Sequence, residues 1–312
     1  MTTVYTLTMN PAIDKSSHAE RVVPEKKIRC ETPRFDPGGG GINVSRVVKE
    51  LGGETKAFYP AGGVFGRFME NLLDAEGIDQ KTVSIKNMTR VNIHISEDST
   101  DNQYRFGMPG PEMFEEEWNR CLEILFSETD GVEYLVASGS LPPGVPDDFL
   151  RKVAEKAREK NIRLIVDTSG EPLKKSAGAG VYLLKPNMNE LADLAGREIG
   201  DEEDQEKAVE EILDDNKSEI VVLSLGAGGV YYSDGKNSDR LRSPSVPIRS
   251  RIGAGDSMVA GIVMKLASGA EVHDAVLYGI AAGTAAVMTP GTELCHREDV
   301  ERLYEKMKRE SA

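Results

Sequence analysis

The stretch RIGAGDSMVAG, residues 251–261, places three small residues directly before Asp256 and a segment that can form a helix. The first amides of a helix point outward and favour anions, so a glycine-rich approach is typical of a phosphate site. A carboxylate at this place can instead remove a proton from an attacking hydroxyl. The stretch therefore predicts an anion hole at Gly253, Ala254 and Gly255, with Asp256 as general base. A plain helix cap is the alternative for Asp256.

Segments rich in β-forming residues alternate with segments of helical period along the chain. The β-rich segments are VYTLTM, TKAFYP, EYLVAS, IRLIVDT, VYLLK and EIVVLSL, which begin at residues 4, 55, 133, 162, 181 and 219. This alternation predicts right-handed βαβ crossovers and a mainly parallel sheet covered on both faces by helices. Ligands of such sheets bind at the carboxyl ends of the strands.

Two regions depart from this alternation. Residues 13–34 lack a long helical pattern, and RVNIHIS (90–96) with QYRFG (103–107) predicts a hairpin. We expect strands from about 13–34 and 88–110 to form a small second sheet that serves as a lid or a partner surface; edge strands of the main sheet are the alternative. No repeat or low-complexity linker divides the chain, so we expect a single domain over residues 1–312.

Composition excludes several classes of partner and site. The 52 acidic and 38 basic side chains give a formal net charge of −14, which opposes nonspecific binding to nucleic acid or to an anionic membrane. Three widely spaced cysteines indicate neither a disulfide framework nor a zinc site, so a cytoplasmic location is expected. The N-terminus does not resemble a signal peptide, and the longest uncharged run, 276–292, is interrupted by glycine and proline and predicts a buried helix.

The segment DPGGGGINVSR, residues 36–46, carries the strongest local signal. Four consecutive glycines are entropically costly and indicate that something must approach the backbone closely. Asn43 follows in the first turn of the next helix, where its amide can bind the hydroxyls of a ligand. A flexible loop with Asn43 as a helix cap is the alternative.

Other polar residues occur at predicted strand ends. LLKPNMNE places Lys185 after an apolar strand and sets Asn187 and Glu190 one helical turn apart, so both can face one metal-bound phosphate. The small residues of LSLGAGG (223–229) and ASGSLPPGV (137–145) allow a flat ring or a phosphate close to the backbone. The cationic candidates for anionic ligands are Lys27, Arg29, Arg90, Arg105 and Lys185, the first four in the lid; surface solubility is their ordinary explanation.

Familiar motifs of other enzyme classes are missing from the sequence. GSLPPGV has the two glycines of a Walker A loop but Val145 where a lysine is required, and no GxGxxG occurs. No protein-kinase catalytic loop and no GxSxG elbow is present, and the four histidines lack metal-ligand spacing.

In this order, GGGGINVSR, KPNMNE, SLGAGG and IGAGDSMVAG resemble the ribokinase-like phosphofructokinase B family of sugar kinases, and the resemblance extends from YTLTMNPAID to CHREDVERLY. It implies a ribokinase-like three-layer α/β/α fold with a mainly parallel central sheet and a small β-sheet lid. It also implies a glycolytic reaction in which the γ-phosphate of ATP, with Mg²⁺ as cofactor, is transferred to the 1-hydroxyl of fructose 6-phosphate. Kinases of fructose 1-phosphate or tagatose 6-phosphate, and a non-catalytic sugar-phosphate sensor, are the alternatives.

The resemblance also implies roles for individual residues. Asp256 would be the base, with the anion hole formed by Gly253, Ala254 and Gly255. The residues that would hold the phosphorylated ketohexose are Asp14, Lys27, Arg29, Gly39, Gly40, Asn43, Arg90, Arg105 and Ser138. Those that would line the ATP site are Lys185, Asn187, Ser224, Gly226 and Gly228, with Glu190 acting on Mg²⁺ through water. The lid strands of such kinases commonly pair between subunits, which implies a homodimer.

Three positions depart from the family pattern. Arg251 and Ile252 stand where Asp and Thr often precede the glycines, and Glu293 stands where an arginine is common near a potassium site. The candidates for that site are Ser250, Ile252 and Gly291. An acid at 293 can strengthen cation binding or abolish the geometry, so dependence on K⁺ stays open, and the family offers no precedent for Arg251.

Overall fold

The computed structural model describes residues 3–100 and 102–311. Its strands are β1 (Val4–Leu7), β2 (Ala12–Ala19), β3 (Arg34–Gly38), β4 (Thr55–Ala61), β5 (Asp79–Ser84), β6 (Arg90–Glu97), β7 (Asn102–Phe106), β8 (Tyr134–Ser138), β9 (Arg163–Asp167), β10 (Leu183–Leu184), β11 (Ile220–Ser224), β12 (Val230–Ser233) and β13 (Ser238–Leu241). Its α-helices are α1 (Gly40–Glu50), α2 (Gly63–Ala75), α3 (Glu115–Ser127), α4 (Phe149–Glu159), α5 (Gly170–Ser176), α6 (Met188–Ala195), α7 (Glu202–Asp214), α8 (Ala254–Ala267), α9 (Val272–Ala286) and α10 (Arg297–Ser311).

The central sheet has the strand order β13-β12-β11-β10-β9-β8-β1-β4-β5. All neighbours from β11 to β5 are parallel, and β12 and β13 add an antiparallel edge. The mainly parallel sheet expected from the alternating segments is confirmed, whereas β5 and the β12–β13 hairpin were not identified from the sequence. Because β1 lies between β8 and β4, the chain order reverses there, and ligands of open α/β sheets bind at such a point.

Two apolar clusters cover the two faces of this sheet. Along β8, Tyr134 and Val136 pack into one cluster and Leu135 and Ala137 into the other, as the period of two residues in a strand requires. The first cluster contains residues of α1, α8, α9 and α10, and the second residues of α3, α4, α6 and α7. The chain therefore has three layers, with the sheet between two sets of helices.

The small sheet has the order β3-β2-β6-β7 and is separate from the central sheet. Strands β2 and β6 run parallel, while β3 and β7 pair antiparallel at the two edges. The hairpin expected from RVNIHIS and QYRFG is β6–β7, and the alternative that these strands extend the main sheet is wrong. We call this four-stranded sheet the lid.

The uncharged run 276–292 lies largely in α9, where every residue from Ala275 to Ala286 is buried. The buried helix expected there is confirmed over 276–286. Among the described residues, no helix is both long and apolar enough to cross a membrane.

Candidate active site

The start of α8 lies at the residues for which the sequence predicts an anion hole. Gly253 caps the helix at φ +72°, a left-handed conformation that glycine adopts without a steric penalty. The amides that follow it, including those of Ala254 and Gly255, belong to the first turn and have no carbonyl partner within the helix. Asp256 lies in the same turn, so a carboxylate and outward amides share one helix end.

Asp256 is largely buried and lies among groups from three other elements. Asn43 in α1 donates from Nδ2 to Asp256 Oδ2 at 2.8 Å, and the Ser138 hydroxyl at the end of β8 lies near enough to favour the charged carboxylate. Burial raises the pKa of Asp256 to about 6, and the charge of Asp167 adds to the shift; Asn43, Lys185 and Ser138 oppose it. A carboxylate with this pKa is mostly ionised at pH 7 and can still accept a proton, as a general base must.

The four consecutive glycines pack the start of α1 against the ends of two central strands. A Cβ added at Gly40 would lie 2.8 Å from the amide nitrogen of Gly139, and one at Gly41 would lie 2.6 Å from the Leu7 carbonyl oxygen. Thr8 Oγ1 accepts a hydrogen bond from Ile42 N at 2.8 Å. The close approach expected from the sequence is thus in part an approach of the protein's own backbone, and the alternative of a flexible loop is wrong.

Asp14 brings a buried carboxylate from the lid to the same region. It lies on β2, and its Oδ1 accepts a hydrogen bond from Asn92 Nδ2 on β6 at 2.8 Å. The imidazole Nε2 of His94 lies 3.6 Å from the same oxygen. A Cβ at Gly38 would meet the other oxygen, so Asp14 borders the glycine segment. Sequence reasoning missed Asn92 and His94; they lie on the same face of β6 as Arg90, because alternate residues of a strand share a face.

Arg90 connects the lid to the segment after β1. Its two terminal nitrogens donate to the carbonyls of Met108 and Asn10, each at 2.8 Å, and its buried Nε has no partner among the described residues. Burial lowers the pKa of Arg90, and the charge of Asp14 opposes this effect. Arg90 and Ser140 both line an open cavity of about 700 Å³.

The remaining cationic candidates occupy the lid periphery. Lys27 and Arg29 are exposed in the loop between β2 and β3, and Arg105 is exposed on β7 opposite His94. Within the part of the chain that the structure describes, none of the three side chains forms a hydrogen bond or an ion pair, so none is bonded to Asp256. Their roles in holding a phosphate stay predictions.

Lys185 follows the short strand β10 and lies between two carboxylates. Its Nζ forms an ion pair with Asp167 Oδ1 at 3.1 Å, at the end of β9. Burial opposes the charge of Lys185, but Asp167, Glu190 and Asp256 together outweigh burial and raise the pKa of Lys185. A Cβ at Gly255 would lie 3.6 Å from this Nζ, so the ammonium is beside the first turn of α8. Sequence reasoning missed Asp167, although its place at a strand end was a usable signal.

Asn187 and Glu190 form a capping box at the start of α6. The Asn187 side chain accepts from the amides of Asn189 and Glu190 at 2.9 and 3.0 Å, and Glu190 Oε2 accepts from Asn187 N at 2.8 Å. Burial raises the pKa of Glu190. Among the described residues, no group of three His, Cys, Asp or Glu side chains is arranged to hold a metal. A divalent ion here would depend on ligands other than protein.

A cavity of about 540 Å³ lies beside the start of α8. Its lining includes Ser224, Gly226 and Gly255 together with apolar residues, among them Val246 and Ile280. An apolar pocket that ends at exposed helix amides suits a flat base joined to phosphates. Gly228 belongs to the turn Gly226–Gly228 but does not line the cavity, and neither Lys185 nor Asn187 does.

The candidate cation residues lie in the two loops next to this helix end. Ser250 Oγ donates to the Gly291 carbonyl at 2.7 Å and accepts from Ile252 N at 3.2 Å. The Glu293 carboxylate is paired with His296 at 2.8 Å and with Arg34 at 3.5 Å. These contacts give the loops a defined geometry, while K⁺ binding there stays a prediction.

Comparisons with known proteins find relatives that match nearly the whole chain. The chain is 41% identical over 310 residues to ATP-dependent 6-phosphofructokinase isozyme 2 of Escherichia coli, covering 99% of this chain and 100% of that protein. It is 32% identical over 303 residues to the 1-phosphofructokinase of Borreliella burgdorferi, covering 96% of each.

Solved structures of phosphofructokinase-2 from Escherichia coli have the same fold. Each shares 40% identity with this chain and covers 99% of it, and the match includes 100% of the other chain. The complex with potassium gives a TM-score of 0.95, the complex with fructose-6-phosphate 0.93, and the tetrameric inhibited form 0.94.

The ribokinase-like fold and the small lid sheet are thus shared with solved relatives over nearly the whole chain. The family described as pfkB family carbohydrate kinase matches residues 2–299. This protein belongs to that family of sugar kinases.

Proposed function

We propose that this chain transfers the γ-phosphoryl group of ATP to the 1-hydroxyl of fructose 6-phosphate, giving fructose 1,6-bisphosphate and ADP. The observation that carries the proposal is the place of Asp256, which lies in the first turn of α8 and is hydrogen-bonded to Asn43 at 2.8 Å. This carboxylate interacts with Asn43 after the glycine segment and with Lys185, and the two residues before it, Ala254 and Gly255, line the nucleotide-sized cavity.

In the reaction, Asp256 takes the proton from the attacking hydroxyl as the new bond to phosphorus forms. Its pKa of about 6 lets it hold that proton until the product leaves. The outward amides of Gly253, Ala254 and Gly255 receive the negative charge of the phosphoryl oxygens, which is the larger part of catalysis in phosphoryl transfer. General base catalysis adds roughly 10² to 10⁴ in rate.

The anionic partners need positive charge near Asp256. Lys185 supplies it from beside Gly255. Mg²⁺ fits this site, because it prefers phosphate and water ligands with one or two carboxylates, and Glu190 is a half-buried carboxylate near Asp167 and Lys185. When bound with ATP, the ion would neutralise phosphate charge; Glu190 would hold its water ligands.

Fructose 6-phosphate is preferred over other phosphorylated ketohexoses because the more similar relative is a 6-phosphofructokinase and the 1-phosphofructokinase is less similar. The test is a substrate panel with MgATP, in which ADP release is measured for fructose 6-phosphate, fructose 1-phosphate and tagatose 6-phosphate. The first should have the highest kcat/KM. Another ranking would replace the substrate assignment, and no turnover of any sugar phosphate would favour the non-catalytic sensor.

We further propose that the chain acts as one kinase domain and forms a homodimer through its lids. Phe35, Lys15, Ile93 and Phe106 lie in one row across the four lid strands, on the face opposite to Asp14. Phe35 and Phe106 are exposed, as a partner surface requires. Sedimentation should give a dimer that Phe106→Asp weakens. A relative is described as tetrameric in an inhibited form, so MgATP should be varied in the same experiment.

Potassium dependence and a cytoplasmic location are two further predictions. Potassium dependence is tested by replacing K⁺ with a large organic cation in the assay and measuring kcat. The cytoplasmic location is tested by cell fractionation.

A further inference from the structure

Arg251 lies in the cavity beside the anion hole and has no role in the mechanism described above. It is exposed, and within residues 3–100 and 102–311 its side chain forms no hydrogen bond or ion pair. It comes two residues before Gly253, the cap of α8, so its backbone lies at the end of the cavity that Ala254 and Gly255 line.

The charges around this position favour a role in ligand binding. Arg251 is the one charged side chain among the described residues that line the 540 Å³ cavity. The neighbouring lysine, Lys185, is bound to Asp167 at 3.1 Å and does not line the cavity. In a chain of net charge −14, a tri- or diphosphate that enters this cavity meets no other cationic side chain on its walls.

The lining of the cavity indicates which part of a nucleotide Arg251 can bind. Val246, Ile280 and Val287 contribute apolar wall that suits a base, whereas Arg251 contributes positive charge and comes two residues before the cap of α8. A guanidinium presents several donors in a fixed plane that matches phosphate oxygens. Its freedom from other partners means that no existing ion pair must break for it to bind.

We propose that Arg251 binds the α- or β-phosphate of the nucleotide and thereby sets the affinity of the chain for ATP and ADP. The proposal rests on the proposed kinase function and adds to it a residue that distinguishes nucleotides by their phosphates. Arg251 stabilises the bound nucleotide in both the substrate and the product complex, so its effect falls on affinity and KM more than on kcat.

The test is direct titration of adenosine, AMP, ADP and ATP, with Mg²⁺ where phosphates are present, by isothermal calorimetry. Wild type is compared with Arg251→Gln and with the control Arg249→Gln, which makes the same charge change on an exposed residue that does not line the cavity. Melting temperatures of all three proteins should agree, because both side chains are exposed. Arg251→Lys is included because it retains the charge but not the fork of donors.

We expect Arg251→Gln to weaken ADP and ATP by about tenfold, since a charge-assisted hydrogen bond to phosphate is lost, and to leave adenosine unchanged. Arg251→Lys should recover part of that affinity, and Arg249→Gln should bind as wild type does. The KM for MgATP should rise by a similar factor, while the KM for fructose 6-phosphate and kcat stay within about twofold.

Other results overturn the inference in distinct ways. Equal losses for adenosine and ADP would assign Arg251 to the base or ribose, and unchanged ADP affinity would assign it to no ligand. Equal losses in the Arg249 and Arg251 variants would mean a general effect of charge. Failure of wild type to bind any nucleotide would overturn the kinase proposal together with this one, whereas nucleotide binding without sugar turnover would overturn the kinase proposal alone.

Discussion

Removal of the amide that holds Asp256 should move the acid limb of the pH–rate profile. In Asn43→Ala the 2.8 Å hydrogen bond to Asp256 Oδ2 is lost, and that bond favours the ionised carboxylate. A hydrogen bond to a charged group contributes roughly 1.5–3 kcal/mol, and one pKa unit equals about 1.36 kcal/mol. Because Ser138 and Lys185 still face the carboxylate, we take the lower end of this range and expect a rise of about one unit.

The direction of the effect on rate follows from which form is active. The base works when ionised, so a rise of its pKa from about 6 to about 7 reduces the active fraction at every lower pH. At pH 6 the ionised fraction falls from about one half to about one tenth, and above pH 8 it hardly changes. After the kcat/KM of each protein is divided by its own value in mild alkali, the variant should therefore be about fivefold below wild type at pH 6.

The assay is kcat/KM for fructose 6-phosphate between pH 5.5 and 9, because this quantity reports the pKa values of the free enzyme, with product measured directly to avoid coupling enzymes that titrate themselves. Asn92→Ala is the matched control, because it removes an amide donor at the same distance, 2.8 Å, from Asp14 instead. Its acid limb should stay where wild type has it. An unchanged limb in Asn43→Ala, or an equal shift in the control, would refute the assignment of Asp256 as the titrating base.

Three other substitutions test separate parts of the structure. Asp256→Asn should abolish most turnover yet raise the free energy of unfolding by about 1–3 kcal/mol at pH 8, because an acid with a raised folded-state pKa destabilises the fold above that pKa. This gain in stability should disappear near pH 4. Calorimetry that finds the same gain at pH 4 would contradict the argument. Gly255→Ala should fold with unchanged or slightly higher melting temperature, since the added Cβ makes only ordinary contacts such as 3.6 Å to Lys185 Nζ. It should lower kcat tenfold or more, because the methyl group crowds the path of the phosphoryl group. Full activity would mean that this turn is not the anion hole. Thr292→Val should lower the free energy of unfolding by about 1–3 kcal/mol, because the buried Asp36 carboxylate loses the hydroxyl that donates to it at 2.6 Å. An unchanged denaturation midpoint would count against that contact.

Patterns along the sequence predict the parts of the fold that depend on local period and on glycine. The alternating segments predict the parallel sheet. Gly253, three residues before Asp256, predicts a helix end, because the left-handed conformation of this cap favours glycine. Position along the chain cannot predict partners that topology brings together. Asn43 and Asp256 are 213 residues apart, and their contact depends on α1 and α8 packing on the same face of the sheet.

The parts that sequence reasoning missed share a physical cause. Asp167 acts through Lys185, and Asn92 acts through Asp14, so neither belongs to a glycine signature or to a spacing motif. Strand β5 also lacks a sequence signal, because it is an edge strand of partly exposed polar residues that the hydrophobic pattern does not mark. Such partners become visible only when strand register is known.

The proposed sugar site is divided between two sheets that few covalent segments join. Asp14 belongs to the lid, whereas Asn43 and Asp256 belong to helices on the central sheet. The chain passes from β1 to β2 through residues 8–11 and from β3 to α1 through Gly39. Rigid-body motion of the lid must therefore be absorbed at these short links and where β6 and β7 rejoin the rest of the chain. A sugar that bonds to both sheets at once therefore tethers them, and its measured affinity includes the entropy lost by that tethering.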